Sequence, residues 1–279
     1  MTDTISVEML SLIHTNQLDS DAKPRKSIHG ILGGVPTTLV VAPMSLLSQW
    51  ELETEAASKE GTLKPYVYYG NEKKANLQTL LGTGGGPDVV ITSYGTVLSE
   101  YTQLTRAGSN GGSDGGLFSI CFYRIILDEA HHIKNRLSKT AKACYELHAE
   151  HRWVLTGTPI VNRLEDLFSL VRFLRVDPWQ SFSFWKTFIT TPFENKEFVK
   201  ALDVVQTVLE PLVLRRTKDM KLPNGDPLVP LPSKSVVIET VKLSKKEREV
   251  YDHIQDRAKR VFRHNLEVCI FPHYRYLRR

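Results

Sequence analysis

The chain has 279 residues, 41% hydrophobic and 24% charged, with a formal net charge of +5. That is one large domain or about two ordinary ones, with the composition of a soluble globular protein. The sequence pI of about 9.0 admits a nucleic-acid partner without establishing one. Cys121, Cys144 and Cys269 lack C-x-x-C spacing, which excludes a disulfide framework or a zinc site built from cysteines. No apolar run approaches bilayer length, so no membrane partner is expected, and no basic segment leads into an apolar signal core.

In chain order, Ile5, Met9, Leu12 and Ile13 recur at helical spacing and predict a helix over 5–13. Residues 19–36, polar and rich in Gly and Pro, read as a loop. A buried strand is expected over 37–42, stopped by Pro43, with a helix over 45–57. A short strand follows over 65–69, then a helix over 71–81 and a glycine-rich turn. Residues 88–92 read as another strand, and a helix starts near Tyr94. The run G-S-N-G-G-S-D-G-G over 108–116 is low-complexity and has nothing apolar to bury. Then come a strand ending at Asp128, a helix over 138–148 and a strand over 152–155. Strands alternating with helices predict an α/β fold, a parallel sheet with helices on both faces. Beyond Leu164 helical periodicity over 165–175 and 197–214 predicts a helical appendage. Residues 234–241 alternate like a strand. Ser244 with Glu247 makes a capping box that opens a charged helix over 244–262.

The stretch over 123–135, Y-R-I-I-L-D-E-A-H-H-I-K-N, carries the chemistry. A buried strand ends abruptly on two carboxylates, Asp128 and Glu129. At the carboxyl end of a strand in an open α/β sheet, where ligands bind, an Asp can hold Mg2+ on a nucleotide and a Glu can orient water. Asp128 as a helix N-cap is the plainer alternative. The next strand delivers L-T-G-T-P over 155–159, where Thr156 and Thr158 offer hydroxyls to a phosphate or link two ligand sites. An ordinary Thr-rich turn also fits.

L-D-E-A-H followed by L-T-G-T-P resembles the Swi/Snf-type ATPases, DNA translocases of the helicase superfamily built from two RecA-like lobes. T-L-V-V-A-P-M-S-L-L-S-Q-W over 38–50, D-V-V-I-T-S-Y-G-T-V-L-S-E-Y over 88–101 and L-V-L-R-R-T-K over 212–218 match further blocks in order. R-L-E-D-L-F-S-L-V-R-F-L, D-P-W and F-W-K-T-F-I-T-T-P-F are similar to the DNA-repair branch, whose members carry a RING finger within the ATPase. The resemblance implies an incomplete RecA-like first lobe over 1–175, a helical protrusion over 176–235 and a link toward a RING and second lobe over 236–279. It implies ATP and Mg2+ as cofactors, with Asp128 holding Mg2+, Glu129 activating water and His131 linking the site to the lobe interface. Thr156, Gly157 and Thr158 would couple nucleotide state to DNA movement. Pro43, Ser45, Gln49, Ser93 and Tyr94 would lie along double-stranded DNA. For Ser45, Gln49 and Ser93 helix capping fits as well. Nucleosomes or repair-fork proteins become candidate partners and the nucleus the expected location.

The family's phosphate loop is not in the sequence, which has no G-x-x-x-x-G-K-[ST]. Aligned on the first helix, Thr4 takes the place of the Mg2+-binding Thr, while Asp3 stands where the Lys belongs and would repel a nucleotide. The expectation is a truncated piece of a longer protein, with an unmatched tail after about Phe262. Two functions follow: the lobe of a DNA-dependent ATPase, or a catalytically inactive lone lobe that only binds DNA or protein.

Overall fold

The computed structural model describes residues 4–17, 25–28, 31–58, 62–70, 76–82, 85–107, 116–158, 164–215, 220–221, 224–226 and 235–274. Asp3, Pro159 and most of the 108–116 run lie outside them, as do the side chain of Thr4 and the first residues of the helix expected over 71–81. The chain divides into two compact units, Met1–Val213 and Leu214–Arg279.

The first unit is built on a sheet. Strands β1 (Arg25–Ile28), β2 (Ile31–Ala42), β3 (Pro65–Val67), β4 (Val89–Ser93), β5 (Ile120–Leu127) and β6 (His148–Val154) contribute to it. The order is β3-β4-β2-β5-β6 with every neighbouring pair parallel, while β1 pairs antiparallel with the start of β2. The alternation of side chains along a strand sorts the core into two faces. Leu39 and Val41 of β2, Val90 of β4, and Ile125 and Leu127 of β5 point to one face. Val40 and Ala42, Val89 and Ile91, and Ile126 point to the other. Helices α1 (Thr4–Thr15) and α2 (Leu47–Ala57) cover the second face through Leu10, Ile13, Leu47 and Trp50. Helices α3 (Leu77–Gly82), α4 (Tyr94–Ala107) and α5 (Lys139–Glu146) cover the first through Leu77, Val97, Ala141 and Cys144. Parallel strands buried on both faces explain why they read as continuous apolar runs.

Helix α6 (Leu164–Phe173) belongs to two cores at once. Leu170 and Phe173 join the sheet cluster, while Leu167, Phe168 and Val171 pack with Trp185, Ile189 and Val205. That second cluster is the helical appendage: α7 (Phe182–Trp185), a π-helical turn over Lys186–Thr190, α8 (Thr191–Glu194) and α9 (Phe198–Leu209).

Three sequence expectations are corrected. Residues 19–36 were expected as a loop, yet β1 and the first half of β2 occupy much of that stretch. Gly33, Gly34 and Pro36 disguise a strand, and the β2–β5 register shifts on both sides of Val35 accommodate them. The helix expected over 138–148 stops at Glu146 because Leu147 is extended, and β6 starts at His148 rather than Arg152. The strand expected over 234–241 is not one: described residues 235–244 form no strand, and Val236, Val237 and Ile238 stay exposed. Alternation predicts a strand only where a partner edge and a surface to cover exist.

In the second unit, α10 (Lys245–Tyr274) opens on the expected capping box. The Ser244 N–H donates to Glu247 Oε2 at 2.8 Å and the Glu247 N–H to Ser244 Oγ at 3.4 Å.

Candidate nucleotide and nucleic-acid site

The acidic turn sits at the carboxyl end of the sheet and is held by backbone. The Asp128 N–H donates to the Val41 carbonyl at 2.8 Å, which ties it to β2. The Ala130 N–H donates to the Leu155 carbonyl at 2.9 Å and the Leu155 N–H to the Leu127 carbonyl at 2.8 Å. These two bonds seat the Leu155–Thr158 turn beside the acidic pair, as strand order alone would not guarantee. Within that turn the Thr158 N–H donates to Thr156 Oγ1 at 3.2 Å. Thr158 and Gly157 are exposed, and a side chain at Gly157 would meet nothing within 4 Å.

Asp128 is oriented from three directions. Its Oδ1 accepts the Glu129 N–H at 2.9 Å, and its Oδ2 accepts the Trp50 indole N–H at 2.8 Å. Its carbonyl accepts the Tyr94 hydroxyl at 2.7 Å. A buried indole finds a partner for its N–H, and here the partner is a carboxylate. Glu129 has φ 46°, ψ 49°, the left-handed region that non-glycine residues rarely occupy. Such backbone concentrates at functional sites. His131 Nδ1 lies 3.1 Å from Glu129 Oε2, an ion-pair approach without hydrogen-bond alignment. Burial pushes the Tyr94 hydroxyl well above its ordinary pKa, so it stays a donor.

Next to this turn lies a groove of about 580 Å³ bordered by Pro43, Met44, Ser93, Tyr94, Thr96 and His132. It opens where β2, β3 and β4 end, on the side of the sheet end away from β6. Of the residues expected along DNA, Pro43, Ser93 and Tyr94 line it, while Ser45 is exposed and Gln49 donates to Glu53 Oε1 at 2.8 Å within α2. Ser93 Oγ accepts the Thr96 N–H at 3.1 Å, so it caps α4. The sequence reading missed Trp50 and His132. Trp50 had a signal, a large aromatic with one polar atom on the buried face of a helix.

The donor set suits Mg2+, which is bound through one or two carboxylates and keeps waters and phosphate oxygens as its other ligands. Among the described residues no cluster of three or more His, Cys, Asp or Glu forms a metal cage. The sequence supplies no Lys-bearing phosphate loop.

The model of the SNF2-related domain matches residues 2–269. The chain belongs to that family. The SNF2-related chain is 61% identical over 275 residues to DNA repair protein rad5 of Aspergillus fumigatus, covering 94% of this chain and 22% of that protein. It is 58% identical over 281 residues to DNA repair protein RAD5 of Gibberella zeae, covering 94% and 24%. DNA repair protein rad8 of Schizosaccharomyces pombe is 44% identical over 266 residues, covering 94% and 23%. The chain therefore spans less than a quarter of these relatives. Among solved structures, the Sulfolobus solfataricus SWI2/SNF2 ATPase core in complex with dsDNA superposes with a TM-score of 0.52 at 30% identity, over 66% of this chain and 34% of that one. The fold is thus the RecA-like sheet of the SWI2/SNF2 ATPase core.

Proposed function

We propose that this SNF2-related segment is the first ATPase lobe, with its helical protrusion, of a protein that couples ATP hydrolysis to movement on double-stranded DNA in nuclear DNA repair. The observation that carries the reading is the pairing of the acidic turn with the Leu155–Thr158 turn through the Ala130–Leu155 bond, beside an open groove. Asp128 would hold Mg2+ through its water shell, with Thr4 a second contributor once a phosphate loop is in place. When bound, the ion would offset the negative charge of the β- and γ-phosphates of ATP. Glu129 holds the attacking water and takes its proton. Thr156, Gly157 and Thr158 lie where a change at the phosphates reaches the sheet end. Pro43, Ser93 and Tyr94 contact the DNA backbone rather than its bases, which fits a motor indifferent to sequence. The segment boundaries near 175 and 235 belong to this reading, as do nucleosomes or repair-fork proteins as partners.

The test is Glu129→Gln in a chain extended to the length of the relatives. DNA-stimulated ATP hydrolysis should fall by at least about 100-fold, the scale of losing a general base. Undiminished hydrolysis would sink the assignment. A second reading, a lone lobe that binds DNA without hydrolysing ATP, is favoured for the 279-residue chain itself by the missing phosphate-loop Lys. Robust ATPase activity from that chain alone would remove it.

A further inference from the structure

Among the described residues, His132 is the one side chain shared by the groove and the acidic turn whose role the proposed function leaves open. Its ring stacks on Tyr94 with centroids 4.9 Å apart at 22°, and on His131 at 4.9 Å and 24°. His131 in turn approaches Glu129 Oε2 at 3.1 Å. Three rings therefore run in file from the groove wall to the carboxylate. Tyr94 is fixed at one end, 6% exposed and bonded through its hydroxyl to the Asp128 carbonyl at 2.7 Å. His132 is exposed and borders the groove. It adds little to the core, so packing does not account for the stack.

We infer that His132 is a positioning residue that couples occupation of the groove by the DNA backbone to the placement of Glu129, acting through the His131 ring. The inference rests on the proposed function, since it takes DNA as the occupant of the groove. A phosphodiester seated against Tyr94 and His132 limits how the His132 ring can tilt. The stacked His131 ring follows, and with it the Glu129 carboxylate. Glu129 can follow, because its side chain is 45% exposed and its 3.1 Å approach to His131 Nδ1 joins it to the stack. Coupling between the two binding events is reciprocal: the factor by which DNA changes nucleotide affinity is the factor by which nucleotide changes DNA affinity, while the effect on the hydrolysis rate need not equal it.

The test compares His132→Ala with His132→Phe in a chain extended to the relatives' length. Two ratios are read within each protein. One is the hydrolysis rate at saturating duplex DNA over the rate without it. The other is the change in DNA Kd caused by a non-hydrolysable ATP analogue, which involves no turnover. His132→Ala should lower the first ratio about tenfold and bring the second close to one, within the usual range of coupling energies. His132→Phe keeps a flat ring in the stack and should retain both. Full stimulation in His132→Ala overturns the inference, and so does a Phe variant as uncoupled as the Ala one. A uniform loss of DNA affinity with both ratios intact makes His132 a simple DNA contact and also overturns it. An unsubstituted protein with no DNA stimulation overturns the proposed function, and this inference with it.

Discussion

Two segments of this chain carry nearly the same alphabet, Val and Thr with one larger aliphatic (Leu39 or Ile238), and meet opposite fates. Residues 37–42, T-T-L-V-V-A, form the second half of β2, paired with β4 on one side and β5 on the other. Residues 235–241, S-V-V-I-E-T-V, form no strand and leave their apolar side chains in solvent. The difference is context. β2 has two parallel neighbours for its backbone and two helical layers for its side chains. The later segment has neither among the described residues. A β-propensity is a fit to a half-buried pleated surface, and it counts for little until that surface exists.

The sharpest way to break the comparison is to truncate one Ile in each region. Ile126 of β5 is 0% exposed, between β2 and β6, and Ile238 is 89% exposed. Ile126→Ala should cost about 2–5 kcal/mol through lost burial and a residual cavity. Ile238→Ala should stay within about 0.5 kcal/mol, as exposed substitutions do. Urea unfolding midpoints decide it. A comparable loss at Ile238 would mean that the 235–241 segment is covered in solution and that the contrast is false.

The polar side of the ordered region gives a smaller effect. Arg124 of β5 is 2% exposed, on the face shared with Ile126. Its guanidinium donates to the Asn16 carbonyl at 2.9 Å and to Thr38 Oγ1 at 3.2 Å, and the Tyr123 hydroxyl donates to Asn16 Oδ1 at 2.6 Å. Together they fasten the end of α1 to the sheet. Burial pulls the pKa of Arg124 down, yet an Arg remains charged. Arg124→Met keeps most of the stem but strands the Asn16 carbonyl, and should cost about 1–3 kcal/mol in urea unfolding. An unchanged midpoint would show that α1 is held by its apolar face alone.

Arg124 also marks the limit of what the sequence discloses. The acidic turn was legible because two carboxylates end an apolar run. The parallel sheet was legible because apolar runs alternate with helical periods. Nothing local announces that Arg124 reaches a carbonyl 108 residues away, or that Trp50 meets Asp128 across 78. Those bonds depend on which strands become neighbours and in what register, and that is settled by the assembled sheet. A charged residue inside Y-R-I-I-L and a Trp on the buried side of a helix are nonetheless signals that a polar partner must exist. The same limit explains why Ser93 reads equally as a DNA contact or a cap: the cap is a bond over three residues, visible in any fold.

The smallest expected effect comes from β6, which pairs on one side only among the described residues and so lies between the two extremes. His148, at its start, is half-buried. Burial first, then the nearby Arg175 and Arg152, lower its pKa from 6.5, with Glu146 opposing them. Arg152, pushed down to about 10 by burial, keeps its charge through the neutral and acid range. The unfolded chain therefore takes up a proton at His148 at higher pH than the folded one does. Wherever the unfolded state binds more protons, stability rises with pH. The contribution of His148 is present above 6.5, is lost as pH falls from there toward its lower folded value, and changes no further below that. His132 shifts the same way, through partial desolvation of its ring and then His131, with Glu129 opposing, but it is exposed and solvent screening leaves His148 the main contributor. Urea midpoints taken from about pH 8 to about pH 5 should decline less in His148→Gln than in the unsubstituted chain, with the carboxylate contribution cancelling between them. Parallel curves would place His148 in water when folded, and would move the start of β6 from the ordered region to the side of residues 235–241.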